Sequence, residues 1–355
     1  MIQIGISTFV ETTPDPQGYV ISHAQRIRQA IAEVELADKV GLDVYAIGEH
    51  HRPDFAVSQP TEVLAAASVN TKNIRLSSAV TVLNTADPVR VFQGFSTVDA
   101  LSNGRAEIMV GRGSFTESYP LFGYSLAQYD QLREEKLDLL LKIVNNNKEV
   151  HWNGTVRSPL TGQGVYPNPV QGKIPVWIGT GGSPDSVIRA GVLGLPIAFA
   201  IIGGNPVGFK PFVDLYKRTL AQYNNFDEVE KIVGSHFIAQ HSHGFVAETD
   251  EIAQEKYFHS TYTLMHQLGI ERNWPPYTRL SYDAACSENG ALFVGSPETV
   301  ATKIIKMRKE VGIRRFLLHV PVGTMENHDD VLKAIELLGT KVVPLVKEEI
   351  KGFED

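Results

Sequence analysis

Two patterns of apolar and polar positions alternate along the chain. One is a short apolar run with β-branched residues, which reads as a buried strand. The other has apolar residues three and four apart, which reads as one face of a helix. Residues 2–7 form the first strand of this pattern, after which Ile27, Ala30, Ile31, Val34 and Ala37 share a helical face that Gly41 closes. Residues 44–47 are continuously apolar, as a parallel strand covered on both sides requires. An alanine-rich helix over 61–69 follows, then a strand over 74–83, with Pro88 suited to the first turn of the next helix. Residues 106–110 are the fourth strand, and Leu132, Leu137, Leu140, Leu141 and Val144 mark a long helix.

Residues 148–175, rich in Gly, Pro, Asn and Gln, interrupt the rhythm as hairpins and loops. It resumes with strands over 176–178, 197–202 and 232–240 and helices from 183, over 212–223 and over 248–268. A second excursion over 269–292 carries Trp274-Pro275-Pro276-Tyr277. A helix over 297–311, a strand over 315–320 and a helix over 331–350 end the chain. Eight strands with helices between them predict an α/β fold, a single (β/α)8 TIM barrel with insertions after strands 4 and 7. No G-x-G-x-x-G follows the first strand, which weakens an open doubly wound sheet.

A length of 355 residues admits either two domains or one enlarged barrel. A barrel core of roughly 250 residues plus the two excursions accounts for it, and no Pro/Ser linker divides the chain. One domain over 1–355 is expected, with the excursions roofing the site and choosing the substrate. Apolar residues at 43% and charged residues at 21% exclude disorder and collagen. With Lys plus Arg at 33 against Asp plus Glu at 40, the net charge of −7 has the wrong sign for a general nucleic-acid binder. Cys286 is the one cysteine, so no intrachain disulfide and no multi-thiolate metal site can form; a buried, inert thiol is expected. No apolar run approaches the roughly 20 residues of a membrane span. The alternating start of the chain reads as a strand rather than a signal peptide, so a cytoplasmic location is expected.

In such a barrel the site lies where the strands end. Glu49-His50-His51 follows the second strand, and three ionisable residues there are costly without a use. Histidine suits acid–base work near neutral pH. Adjacent residues point apart, so His50 and His51 are poorly placed to chelate one metal, and no metal is expected. Gly111-Arg112-Gly113 follows the fourth strand, and Gly179-Thr180-Gly181-Gly182-Ser183 follows the fifth. A glycine-rich turn feeding a helix start, with an arginine fork beside it, suits a phosphate; a tight turn and a salt bridge are the plain alternatives. His241 and His243 share a face and suit a substrate carbonyl or a metal, or are a chance spacing. Trp274 is either an aromatic lid or part of a packed loop.

The ordered set of segments resembles the bacterial luciferase-like flavin monooxygenases. Glu49-His50-His51 looks like that family's E-H-H motif, and residues 78–90 its third-strand segment. Leu101-Ser102-Asn103-Gly104-Arg105 with Gly111-Arg112-Gly113 looks like its L-S-x-G-R and G-R-G signature. Residues 175–178, the glycine-rich turn and 190–196 look like its phosphate site, and 294–300 its V-G-[ST]-P-E-x-V segment. The resemblance implies FMN held by Ala79, Val80, Asn84, Gly111, Arg112, Thr180, Gly181, Gly182 and Ser183. It implies a non-prolyl cis peptide between Ala79 and Val80. It implies His50, with Glu49 and His51, as the catalytic group; His243 and Trp274 are candidates for the substrate side on the reading of the residues alone. Reduced flavin from a separate flavin reductase, O2 and a small organic substrate such as a carbonyl compound complete the expected reaction, in a homodimer. The alternatives are a deazaflavin-dependent dehydrogenase on the same barrel, a non-catalytic flavin-binding protein, or a metal hydrolase. Where luciferase has Glu-Ser this chain has Thr180-Gly181, and its cysteine beside the flavin is Gly111 here, so light emission is not implied.

Overall fold

The apolar runs pair side by side, all parallel, until the last closes on the first. The computed structural model describes residues 2–353 other than 16, 114 and 225. Its strands are β1 (Gln3–Thr8), β2 (Val44–Ile47), β3 (Arg75–Ser78), β4 (Thr81–Val82), β5 (Ala106–Gly111), β6 (Val150–Trp152), β7 (Leu160–Gln163), β8 (Val176–Thr180), β9 (Ile197–Ala200), β10 (Ile238–Val246), β11 (Phe293–Gly295) and β12 (Arg315–His319). The hydrogen-bonded circuit runs β1, β2, β3, β5, β8, β9, β10, β12 and back to β1, which is a closed eight-stranded barrel.

Three details differ from the sequence reading. The strand expected over 74–83 is split: the Ala79–Val80 peptide is cis, and β4 beyond it pairs with β5. The strand expected over 232–240 begins only at Ile238, because Phe226–Val233 is a helix that ends at Gly234, whose φ is +64°. In turn, β10 runs on through His241 and His243 to Val246, so both histidines stand within the strand. Finally, β11 adds to the far end of β10, pairing Gly244 with Phe293 and Val246 with Gly295. The excursion over 148–175 carries the antiparallel hairpin β6–β7. The one over 269–292 holds the end of the helix Asp250–Glu271 and a short helix, Arg279–Cys286.

The barrel interior is filled by small residues around two large ones. Val44, Ala46, Ala198, Ala239 and Leu317 pack with Met109 and the fully buried Trp177. On the floor, the Arg315 guanidinium lies 4.2 Å over the Trp177 ring and donates to Gln3 Oε1 at 2.8 Å and Glu107 Oε2 at 2.5 Å. Arg75 also pairs with Glu107. Burial alone raises a carboxyl pKa, but these guanidiniums hold Glu107 down to about 2. Between strands and helices, Leu76, Ile108, Phe92, Phe95 and Leu140 form the second core layer.

Candidate active site

The residues following β2 point alternately to two sides. Glu49 Oε2 accepts from Val82 N at 2.9 Å, and Glu49 Oε1 lies 2.9 Å from His51 Nε2. Glu49 and His51 therefore bind each other and fasten the loop to β4, with His51 edge-on to Phe122 at 5.1 Å. His50 faces the other way, into a box of rings. It stacks on Phe55 at 4.2 Å and meets Phe9 at 4.7 Å and Phe115 at 5.4 Å. Its imidazole has no hydrogen-bond partner among the described residues. Burial, with His319, His51 and Arg52 nearby, pushes its pKa down to about 3, so it is neutral at pH 7.

A cavity of about 390 Å³ opens between the ends of β5 and β8. Asn84, Gly111, Arg112, Thr180, Gly181 and Ser183 line it, as the sequence indicates. Gly182 does not line it; its N–H donates to Thr180 Oγ1 at 3.1 Å and shapes the turn. Ala79 and Val80 do not line it either, but Val80 packs against two glycines that do: a methyl group on Gly179 would lie 2.7 Å from Val80 Cγ1, and one on Gly111 2.9 Å from Val80 Cγ2. Glycine at both positions is what lets the β4 segment sit this close. Asn84 stiffens the wall, its amide donating to Tyr119 Oη at 3.0 Å and Tyr129 O at 3.2 Å.

Charge in this cavity is positive. Arg112 is exposed and makes no ion pair among the described residues. Ser183 precedes the helix Pro184–Val192 but does not cap it; its hydroxyl lies 2.8 Å from Ser186 Oγ instead. The first-turn N–H groups of that helix therefore keep their capacity for an anion. Arg133 and Arg189 also line the cavity, both bound to Glu134, at 3.1 and 2.6 Å. These two and Ser186 are absent from the sequence reading, because they sit on helices rather than directly after strands.

His243 is half-buried, its ring 5.9 Å from His241 and 5.2 Å from His319. Trp274 is exposed and lies against the Arg272 guanidinium at 5.1 Å, which also covers Phe115 at 5.1 Å. The second excursion thus reaches the His50 box through Arg272. Arg52 ties the same parts together: it binds Asp54 at 3.0 Å, Glu117 at 2.9 Å and Glu271 at 3.0 Å. Arg52→Gln is expected to speed amide exchange in residues 115–122 and 269–278 by about 10-fold or more, the loss of one or two charge-assisted bonds. Unchanged exchange there would refute this fastening role. Cys286 is buried and away from the cavity, and burial pushes its thiol up to about 11. Among the described residues no three His, Cys, Asp or Glu are arranged to hold a metal, and no helix is long and apolar enough to cross a membrane.

Residues 2–315 match the model of a family described as luciferase-like monooxygenase. Limonene 1,2-monooxygenase of Rhodococcus erythropolis is 25% identical over 90% of this chain and 81% of its own. The oxygenating constituent of 3,6-diketocamphane monooxygenase of Pseudomonas putida, solved with FMN, superposes with a TM-score of 0.73 at 19% identity, covering 97% of this chain and 99% of that one. The coenzyme F420-dependent tetrahydromethanopterin reductase of Methanopyrus kandleri superposes at 0.70 with 18% identity and the same coverage. The family match begins at β1 and ends at the first residue of β12, so it takes in the first seven barrel strands and both excursions. The chain belongs to the luciferase-like monooxygenase family.

Proposed function

We propose that this chain is an FMN-dependent monooxygenase, supplied with reduced flavin by a separate reductase and using O2 on a small organic substrate such as a carbonyl compound. The observation that carries the cofactor is Arg112, a cation without an ion pair among the described residues, beside a helix start that its own serine leaves uncapped. That donor set fits a phosphate dianion. Arg112, Thr180, Gly181 and Ser183 would hold the phosphate, and Ala79, Val80, Asn84 and Gly111 the rest of FMN. When bound, FMN supplies the redox chemistry with O2.

The protein's own residues position and shield. His50, neutral at pH 7, accepts or returns a proton at a ring nitrogen. Phe9, Phe55 and Phe115 exclude water around it. Glu49 and His51 act indirectly, by fixing the loop that carries His50. The excursions over 148–175 and 269–292 roof the site of a single-domain chain, with Trp274 and His243 on the substrate side. A cytoplasmic homodimer completes the proposal.

Fluorescence titration with FMN tests it directly. Arg112→Ala is expected to weaken FMN by about 1.5–3 kcal/mol, the range for a charge-assisted bond. Unchanged affinity would remove Arg112 from the phosphate site. The second reading is a deazaflavin-dependent dehydrogenase, because a deazaflavin phosphate meets the same cation and helix start. In parallel titrations, tighter binding of the deazaflavin would overturn the choice of FMN.

A further inference from the structure

Across the Phe9 ring from His50 lies a line of titratable groups that no motif marks. Phe9 is 4.2 Å from the His319 ring and 5.9 Å from His241. His319 ends β12, His241 stands in β10, and Glu11 follows β1. His319 Nε2 is 2.9 Å from Glu11 Oε1. On its other side, His319 Nδ1 is 3.2 Å from His241 Nε2 and 3.4 Å from Ser7 Oγ. Glu11 and His319 are 1% and 0% exposed, and His241 at 9% is the least buried of the three.

A proton relay requires one set of donors along these contacts. A carboxylate only accepts, so the hydrogen between Glu11 and His319 is on His319 Nε2. With His319 neutral, its Nδ1 is a lone pair and the hydrogen between the imidazoles is on His241 Nε2; with His319 an imidazolium, the two roles reverse. The neutral form leaves His241 Nδ1 as a bare acceptor. Burial and the neighbouring His319 push the His241 pKa down to about 3, so it is uncharged near neutrality. At the far end, Glu11 Oε2 is buried and has no hydrogen-bond partner. A buried carboxylate with an unmet oxygen is costly, and a proton arriving there relieves that cost.

The geometry points to a proton relay, with His241 as the group that meets the reacting molecule and His319 and Glu11 as positioning residues behind it. An O–H of substrate or water gives its proton to His241 Nδ1. His241 passes its Nε2 proton to His319 Nδ1, and His319 passes its Nε2 proton to Glu11. One O–H breaks at the mouth and one forms on Glu11. No electrons move between groups, neither imidazole keeps a charge, and the reverse sequence resets the chain. This makes Glu11 a buried proton store for the oxidation proposed above, and the role as a turnover step rests on that reading. The other titratable groups around the line are His50 and Tyr45 on or beside β2, His243 on β10, Arg26 on the helix His23–Lys39 and Tyr257 on the helix Asp250–Glu271.

The test uses the flavin-free full chain labelled with 15N-histidine, titrated by NMR between pH 2 and 8. Wild-type His241 and His319 are both expected with hydrogen on Nε2 and a bare Nδ1 at pH 7. Glu11→Gln keeps an accepting oxygen but cannot store the proton. It is expected to leave both tautomers unchanged and to move the proton uptake of the pair down by at least one pH unit. In the FMN-loaded chain, Glu11→Gln is expected to lower kcat about 10-fold or more, with KM, FMN affinity and Tm unchanged. Wild-type His241 carrying its hydrogen on Nδ1 overturns the relay, and so does a Glu11→Gln titration that coincides with wild type. If Glu11→Gln does not fold, the wild-type tautomers decide alone. Failure of the wild type to bind FMN or turn over counts against the proposed function and not against the relay, which the flavin-free readouts decide.

Discussion

His50→Ala lowers turnover about 10²–10⁴-fold while the chain still folds and binds FMN with unchanged affinity. The imidazole sits in a box of Phe9, Phe55 and Phe115 with no hydrogen-bond partner among the described residues, so its nitrogens are left for a molecule in the site. It lies outside the residues lining the cavity that holds Arg112, which is why binding and turnover separate. Equal rates for variant and wild type, with a verified substrate, would end the catalytic role. The same residue makes the fold acid-sensitive. His50 has a folded pKa near 3 against an ordinary value of 6.5, so the unfolded chain binds more protons between those limits. The stability tied to a neutral His50 is present in full above pH 6.5 and is lost as pH falls toward 3. His241, also held near 3, behaves alike, so His50→Ala flattens the acid limb of a stability–pH curve without removing it.

Arg315→Ala destabilises the barrel by about 3–5 kcal/mol, read from the midpoint of denaturant unfolding. Removing the guanidinium leaves the buried Glu107 carboxylate with Arg75 alone and strips the Trp177 ring of its cover. Replacing Glu107 and Arg315 together by leucine costs much less, because no charge is then stranded. A loss under 1 kcal/mol for Arg315→Ala would show that the pair does not support the floor. Glu107 titrates near 2, below its usual 4.5. The contribution of the pair is therefore complete above pH 4.5 and disappears as pH falls through 2.

The barrel is legible in the sequence because strands covered on both faces need unbroken apolar runs. Residues 44–47 and 197–200 supply them without interruption. β10 breaks the rule. Gln240, His241, Ser242 and His243 look like a strand end, yet they pair in register with β12 from Gln240–Phe316 to His243–His319. Their polarity belongs to the mouth that the strand passes through. The apolar pair Ile232–Val233 just before it ends a helix instead. The E-H-H segment is legible as a feature, but not the division of labour within it. Only the contact of Glu49 with Val82 N reveals which way each side chain turns. Arg133 and Arg189 are hidden because helix arginines are common and need no site. Glu11 and His319 are hidden more deeply: they lie at opposite ends of the chain, and closure of β12 on β1 alone brings them together.

One clamp remains to be weighed. The Lys303 ammonium is buried and donates to the carbonyls of Ser287 at 2.7 Å, Leu292 at 2.6 Å and Cys286 at 3.3 Å. β11 follows at once and is laced onto β10. The second excursion is thus gripped at its exit by a cation and a strand, both independent of the side chains around Trp274. Mutational drift in 273–276 is therefore buffered from the barrel. This stretch is a cassette that selection can rewrite while the scaffold below is inherited intact.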